Sequence, residues 1–310
     1  MRDTRTLLLV ALLVAPFATA PAPVRAEAPR RPVEGFRVAG ELPRAGELGL
    51  RAPEALALDH HGNVIIADTG NHRVLTVAAD GSVVREFGGY GWDEDRLDTP
   101  SDVCVYEGFF TYVLDEGNRR VASYDVRGDY VGLVVAEDEA GTPVSMAVTS
   151  SGGLHLVDSD SQSVLSYSQF DERLEPVGRF GLDAGGLLDP RDVASGPGRE
   201  IAVADGGRFS VEVFDEFGGR LYSVAAADTM LPVDVAFDER GNLLVADSLH
   251  DRILAFPAGG GRPTATHRVP DGFELAAVAS GHGGLLVALD GGAGRVQFIE
   301  LVYGGETRTR

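Results

Sequence analysis

Three aspartates share one setting: Asp102, Asp192 and Asp234 each stand two residues after a proline, at Pro100, Pro190 and Pro232. Carboxylates at a recurrent position can converge. Convergent carboxylates make a site for a hard cation, Ca2+ or Mg2+, which takes oxygen ligands. An ion held there would polarise a carbonyl or activate water, with His72 or His250 as proton carriers. The competing reading pairs these aspartates with turn arginines or loop caps. A second acidic set is Asp68, Asp115, Asp158, Asp205, Asp247 and Asp290, each closing an apolar run. Six copies of one carboxylate suit a structural part, because an Asp at a strand end accepts turn N–H bonds. Arg73, Arg120, Arg252 and Arg295 follow close behind and are placed to pair with them.

Other chemistries find less support. The 7 histidines do not converge as a zinc site requires: His60, His61 and His282 fall in one class of turn, and His72 and His250 in the other. His155 takes a slot that other copies fill with Ile65, Tyr112, Ala202, Leu244 and Val287, which reads as packing. The chain has no Lys, so lysine Schiff-base chemistry is excluded. The single cysteine, Cys104, stands where other copies carry Ala and is expected in the core; no intramolecular disulfide can form. The only Trp lies in the loop Tyr90-Gly91-Trp92-Asp93-Glu94-Asp95-Arg96. An aromatic beside three acids either anchors a partner or tucks under its own loop. Serine-nucleophile, phosphate-loop and dinucleotide motifs are absent.

The elements that must position these residues recur. Each repeat Asp follows Pro53, Pro100, Pro143, Pro190, Pro232 or Leu275 by 15 residues, and successive copies start 42 to 47 residues apart. A period of this size marks stacked supersecondary units. In the first copy, residues 55–59, 64–67, 73–78 and 83–87 read as strands, with Asp80-Gly81 as a hairpin signal. The second strand of each copy is apolar without alternation, as when both faces are packed. The last copy ends after three strands, and residues 35–39 form a lone strand at the other end. The fold expected is all-β: a six-bladed β-propeller over residues 33–304, four antiparallel strands per blade, with the N-terminal strand closing the last blade. The loop into each Pro and the turn after each repeat Asp then share one face, taken as the ligand face. It carries Tyr90, Trp92, His72, His250, Arg73 and Arg252 as candidate binding residues.

Arg2 and Arg5 precede an apolar stretch from Leu7 to Phe17 and a run of small residues, which reads as a secretory signal peptide over 1–26. A Pro/Arg-rich linker (27–32) and a C-terminal tail (305–310) flank the propeller. Export places the protein in the periplasm or outside the cell. The net charge of -20 repels phosphate backbones and disfavours nucleic acid. After signal cleavage no transmembrane segment is expected, and the chain is read as a monomer.

The segments Ala67-Asp68-Thr69-Gly70-Asn71-His72-Arg73-Val74 and Asp115-Glu116-Gly117-Asn118-Arg119-Arg120-Val121, with Phe87-Gly88-Gly89, resemble the NHL-repeat family of six-bladed propellers. The third and fourth copies depart from that pattern: Ser163 stands where Arg73 and Arg120 stand, and Asp205-Gly206-Gly207-Arg208 shifts the Arg. The resemblance implies the fold strongly and the function weakly, since such propellers serve as lyases, lactonases, sensors and protein-binding platforms. The fold also resembles that of peptidylglycine amidating lyases, which would imply a metal-binding histidine set not found here. The leading expectation is an exported platform for an extracytoplasmic protein, peptide or glycan. The alternative is a metal-dependent hydrolase or lyase at the channel mouth.

Overall fold

A computed structural model describes residues 31–42, 45–135, 141–168, 173–177 and 186–305. The signal-peptide reading, most of the linker and nearly all of the tail lie outside these residues.

The second strands show why the repeat becomes a ring of blades. Val64–Asp68, Leu154–Asp158, Ile201–Asp205 and Leu243–Asp247 are buried at every position. A strand sends alternate side chains to opposite faces, so an unbroken apolar run needs a neighbour on each side. In blade one, Ile65 and Ala67 pack with Val103, Val113 and Tyr124 of blade two. Val64 and Ile66, in between, pack with Val287 and Leu289 of blade six. Four further clusters fill the remaining blade boundaries. The core is thus six wedges between blades.

Each blade is a sheet of four antiparallel strands, and six such sheets are present. Five follow chain order; blade two, for example, runs Pro100–Tyr106, Phe110–Asp115, Arg120–Asp125 and Tyr130–Val135. The sixth takes Leu275–Ser280, Leu285–Asp290 and Val296–Tyr303 from the end of the chain and Val33–Glu41 from its start. That closing strand is longer than the expected 35–39. It is antiparallel to Val296–Tyr303, from Val33 opposite Tyr303 to Glu41 opposite Gln297. No helix among the described residues is long and apolar enough to cross a membrane.

The innermost strands ring the central channel. In blades two to six their register slips just after the first residue, between Pro100 and Asp102, Pro143 and Ser145, Pro190 and Asp192, Pro232 and Asp234, and Leu275 and Ala277. A bulge of this kind re-aims a side chain, here the residue two after the Pro. Cys104, expected in the core, is half-buried beside the cluster between blades two and three.

Candidate functional site

The repeat aspartates hold the loops of the upper face. Asp68 accepts the Arg51 amide (2.7 Å), Asn71 Nδ2 (2.8 Å) and Arg73 Nε (2.7 Å). Asp115 repeats the set with the Asp98 amide, Asn118 and Arg120. Asp247 and Asp290 bind Arg252 and Arg295 through Nε. The two departing copies find substitutes: Asp158 accepts from Ser161, and Asp205 accepts the amides of Leu188, Asp189, Gly207 and Arg208. Each carboxylate ties the loop entering its blade to the turn after its own strand. Arg73 is further engaged with the Leu48 carbonyl and Glu86, and Arg252 with Asp228. Both guanidiniums are therefore parts of the frame. His250 also sits on Asp247, at 3.1 Å.

The three channel aspartates do not form a ligand cluster. Among the described residues, no three His, Cys, Asp or Glu side chains stand close enough to hold a metal ion. Each carboxylate instead reaches an amide of the next blade. Asp102 accepts from Met146 N at 2.6 Å and from Val103 N at 2.7 Å. Asp192 accepts from Val235 N at 2.7 Å, and Asp234 from Val278 N. Ser145 completes the belt: its hydroxyl donates to Asp192 (2.5 Å) and accepts from Val193 N (3.2 Å). Burial, then the charge of Asp192, pushes the Asp102 carboxyl up to about 8. Burial raises Asp192 to about 6. Asp234 is raised as well, by burial and by both neighbours' charges.

The structure brings Tyr90, Trp92 and His72 together. Trp92 is 73% exposed and Tyr90 59% exposed, so the indole is not tucked under its loop. The two rings meet edge to face at 5.6 Å, and His72 meets Tyr90 at 4.9 Å in the same manner. His72 Nδ1 accepts the Thr99 amide at 3.0 Å. Asp98 Oδ1 lies 3.3 Å from the same nitrogen. The loop beneath is pinned from several sides. Leu97 is fully buried and its amide reaches the Gly89 carbonyl. Asn118 donates to the Gly91 carbonyl and Arg120 to that of Asp93. Beside Trp92 lies a groove of about 500 Å3 lined by Glu94, Asn118, Arg120, Tyr130 and Leu133. His250 and Arg252 belong to blade five, with blade six between them and His72.

Two features escaped the sequence reading. The lower channel mouth, about 510 Å3, draws on the first turn of every blade, including His60, Glu107, Glu239 and His282. There His282 Nδ1 lies 2.5 Å from Glu239 Oε1. A separate cleft surrounds His155 between blades three and four. Both arise between residues tens of positions apart, and no local spacing announces them.

No protein-family model matches the chain. It is 27% identical over 242 residues to E3 ubiquitin-protein ligase NHLRC1 of Homo sapiens, across 69% of this chain and 59% of that protein. NHL repeat-containing protein 2 of Bos taurus is 29% identical over 98 residues, 29% of this chain and 13% of that protein. The chain therefore spans less than two thirds of either relative's length. Among solved structures, a streptogramin B lyase superposes with a TM-score of 0.61 at 10% identity, covering 86% of this chain and 98% of that one. Virginiamycin B lyase from Staphylococcus aureus gives 0.59 at 10% identity, over 86% and 99%. Hydrazine synthase of Kuenenia stuttgartiensis gives 0.59 at 14%, over 82% and 96%. At such identities these structures bear on the fold alone. Six blades and the closing strand make the chain a six-bladed β-propeller, and its sequence is similar to that of NHL-repeat proteins.

Proposed function

We propose that this protein is a binding platform whose upper face docks a protein or peptide through Tyr90 and Trp92. The observation that carries the reading is a pair of exposed aromatic rings on a loop held rigid from beneath. A large aromatic is the side chain that most often dominates an interface, and a pre-ordered loop loses little freedom on binding. Asp93, Glu94 and Asp95 flank the indole. They favour a partner carrying basic side chains, in keeping with the net charge of -20. Leu188, Phe209 and Leu249 are also exposed on loops and turns of the same face, at blades four and five.

The charged start and apolar run of residues 1–26 support an exported protein, working as a monomer in the periplasm or outside the cell. Intact-mass analysis of protein recovered from its source tests this: the reading expects a chain starting at Glu27.

The docking reading is tested by comparing partners retained by immobilised wild-type protein, Trp92→Ala and Asp102→Ala. A partner lost with Trp92→Ala and kept with Asp102→Ala supports the platform. Retention by all three, or loss only with Asp102→Ala, counts against it. The loss expected from truncating one central aromatic is about 2 kcal/mol, roughly thirtyfold in affinity.

A further inference from the structure

The cleft between blades three and four lies on the opposite face from Trp92 and has its own chemistry. Its volume is about 280 Å3, room for about nine waters and at the lower edge of small-molecule pockets. Its walls carry the hydroxyl residues Ser150, Ser151, Ser166 and Ser195. Ser150 and Ser195 also line the lower channel mouth, which gives the cleft an entrance.

At its inner wall stands His155, 7% exposed, in the strand slot that the other blades fill with Ile65, Tyr112, Ala202, Leu244 and Val287. Packing alone does not call for a polar ring at that position. Nδ1 lies 3.1 Å from Ser195 Oγ, across the blade boundary. Nε2 has no hydrogen-bond partner among the described residues. Burial pulls the imidazole down to about 4, so at neutral pH one ring nitrogen donates and the other accepts. The Ser195 hydroxyl can rotate to donate or accept, which lets Nε2 take either role. A ligand hydroxyl has the same double character. At the rim Arg199 Nη1 lies 3.0 Å from Glu216, while Glu200 accepts the neutral Gly198 amide at 2.8 Å and keeps its negative charge, which disfavours an anionic ligand. The serine hydroxyls and the neutral imidazole of the inner wall offer a ligand hydrogen bonds and no charge to pair with.

We infer that this cleft binds a small, neutral, polyhydroxylated molecule of monosaccharide size, with its hydroxyls bonded to the serine hydroxyls and to His155. The site is independent of the upper-face platform, and neither reading requires the other.

The test is a titration of 15N-histidine-labelled protein at pH 7 with D-glucose, D-galactose, D-mannose and N-acetyl-D-glucosamine, each to tens of millimolar, followed at the His155 ring nitrogens. Inorganic phosphate and free arginine serve as charged probes. At least one sugar is expected to shift His155 Nε2 in a saturable way while the charged probes do not. Calorimetry with that sugar should weaken about tenfold in Ser195→Ala and in Ser166→Ala, the loss of one hydrogen bond. It should vanish in His155→Leu, which borrows the residue blade five carries there. No response to any of the four sugars overturns the inference, as does a response to phosphate or arginine instead. Sugar binding undiminished in His155→Leu also overturns it.

Discussion

At the scale of single residues, two sets of aspartates do different work. Asp68 is fully buried and accepts from three groups, one of them the Arg73 guanidinium. Removing one partner of a buried ion pair leaves the other without compensation. Asp68→Ala is therefore expected to lose about 3 kcal/mol in denaturant unfolding. Asp102 acts through its protonation. Its folded pKa, about 8, lies above the ordinary value of 3.8, so folding takes up a proton between these limits. The stability this contributes is complete below about pH 4 and is lost as pH rises through about 8. Asp192, at about 6, loses its share earlier in the same rise. Melting temperature should fall from pH 5 to pH 9, and Asp102→Asn should flatten that slope. The structural part played by the repeat Asp was legible because all six copies carry it with the same spacing to the Pro or Leu275. The amides that meet Asp102 and Asp192 were not, because they lie 44 and 43 residues away on the next blade.

At the scale of elements, the turns after the repeat Asp explain both rigidity and strain. The fourth residue past each Asp has positive φ: His72 (55°), Arg119 (53°), Gln162 (51°), Phe209 (56°), Asp251 (48°) and Gly294 (66°). Only the last is glycine, the residue that adopts this region without strain. Asp251 makes no side-chain hydrogen bond or ion pair among the described residues, so Asp251→Gly should relieve backbone strain alone. A gain of about 0.5–1 kcal/mol is expected, net of the entropy glycine loses on folding, measurable as a raised denaturant midpoint. At His72 the same conformation places the ring against Tyr90, so part of the platform rests on a strained turn. The sequence showed a long loop around Trp92 and left its state open, anchor or tucked. What decides between them is the bonding from Asn118 and Arg120 of the next blade, which a single-blade reading cannot contain.

At the scale of the whole molecule, the ring is held shut by one strand. Without Val33–Glu41, the strand Val296–Tyr303 would present an unpaired edge, a template for pairing with other chains. Deleting residues 33–41 should lower the melting temperature and shift the protein towards aggregate on size-exclusion chromatography. This closure could be read from the strand counts at the two ends, because one end lacked a strand that the other supplied. The site could not be read so directly: a propeller offers two faces, a channel and six clefts, and the repeat pattern supplies all of them equally. The lone Trp marked its loop in the sequence, and exposure and bonding show that the ring faces outward on a pinned loop. The most direct measurement of the central claim is site-specific photo-cross-linking in a whole-cell extract of the source organism. A cross-linking amino acid would replace Trp92, or Leu221 on an outer strand as the control. A binding platform predicts one discrete partner captured from position 92, absent from position 221 and diminished by Tyr90→Ala. The same products from both positions, or none from position 92, would contradict it.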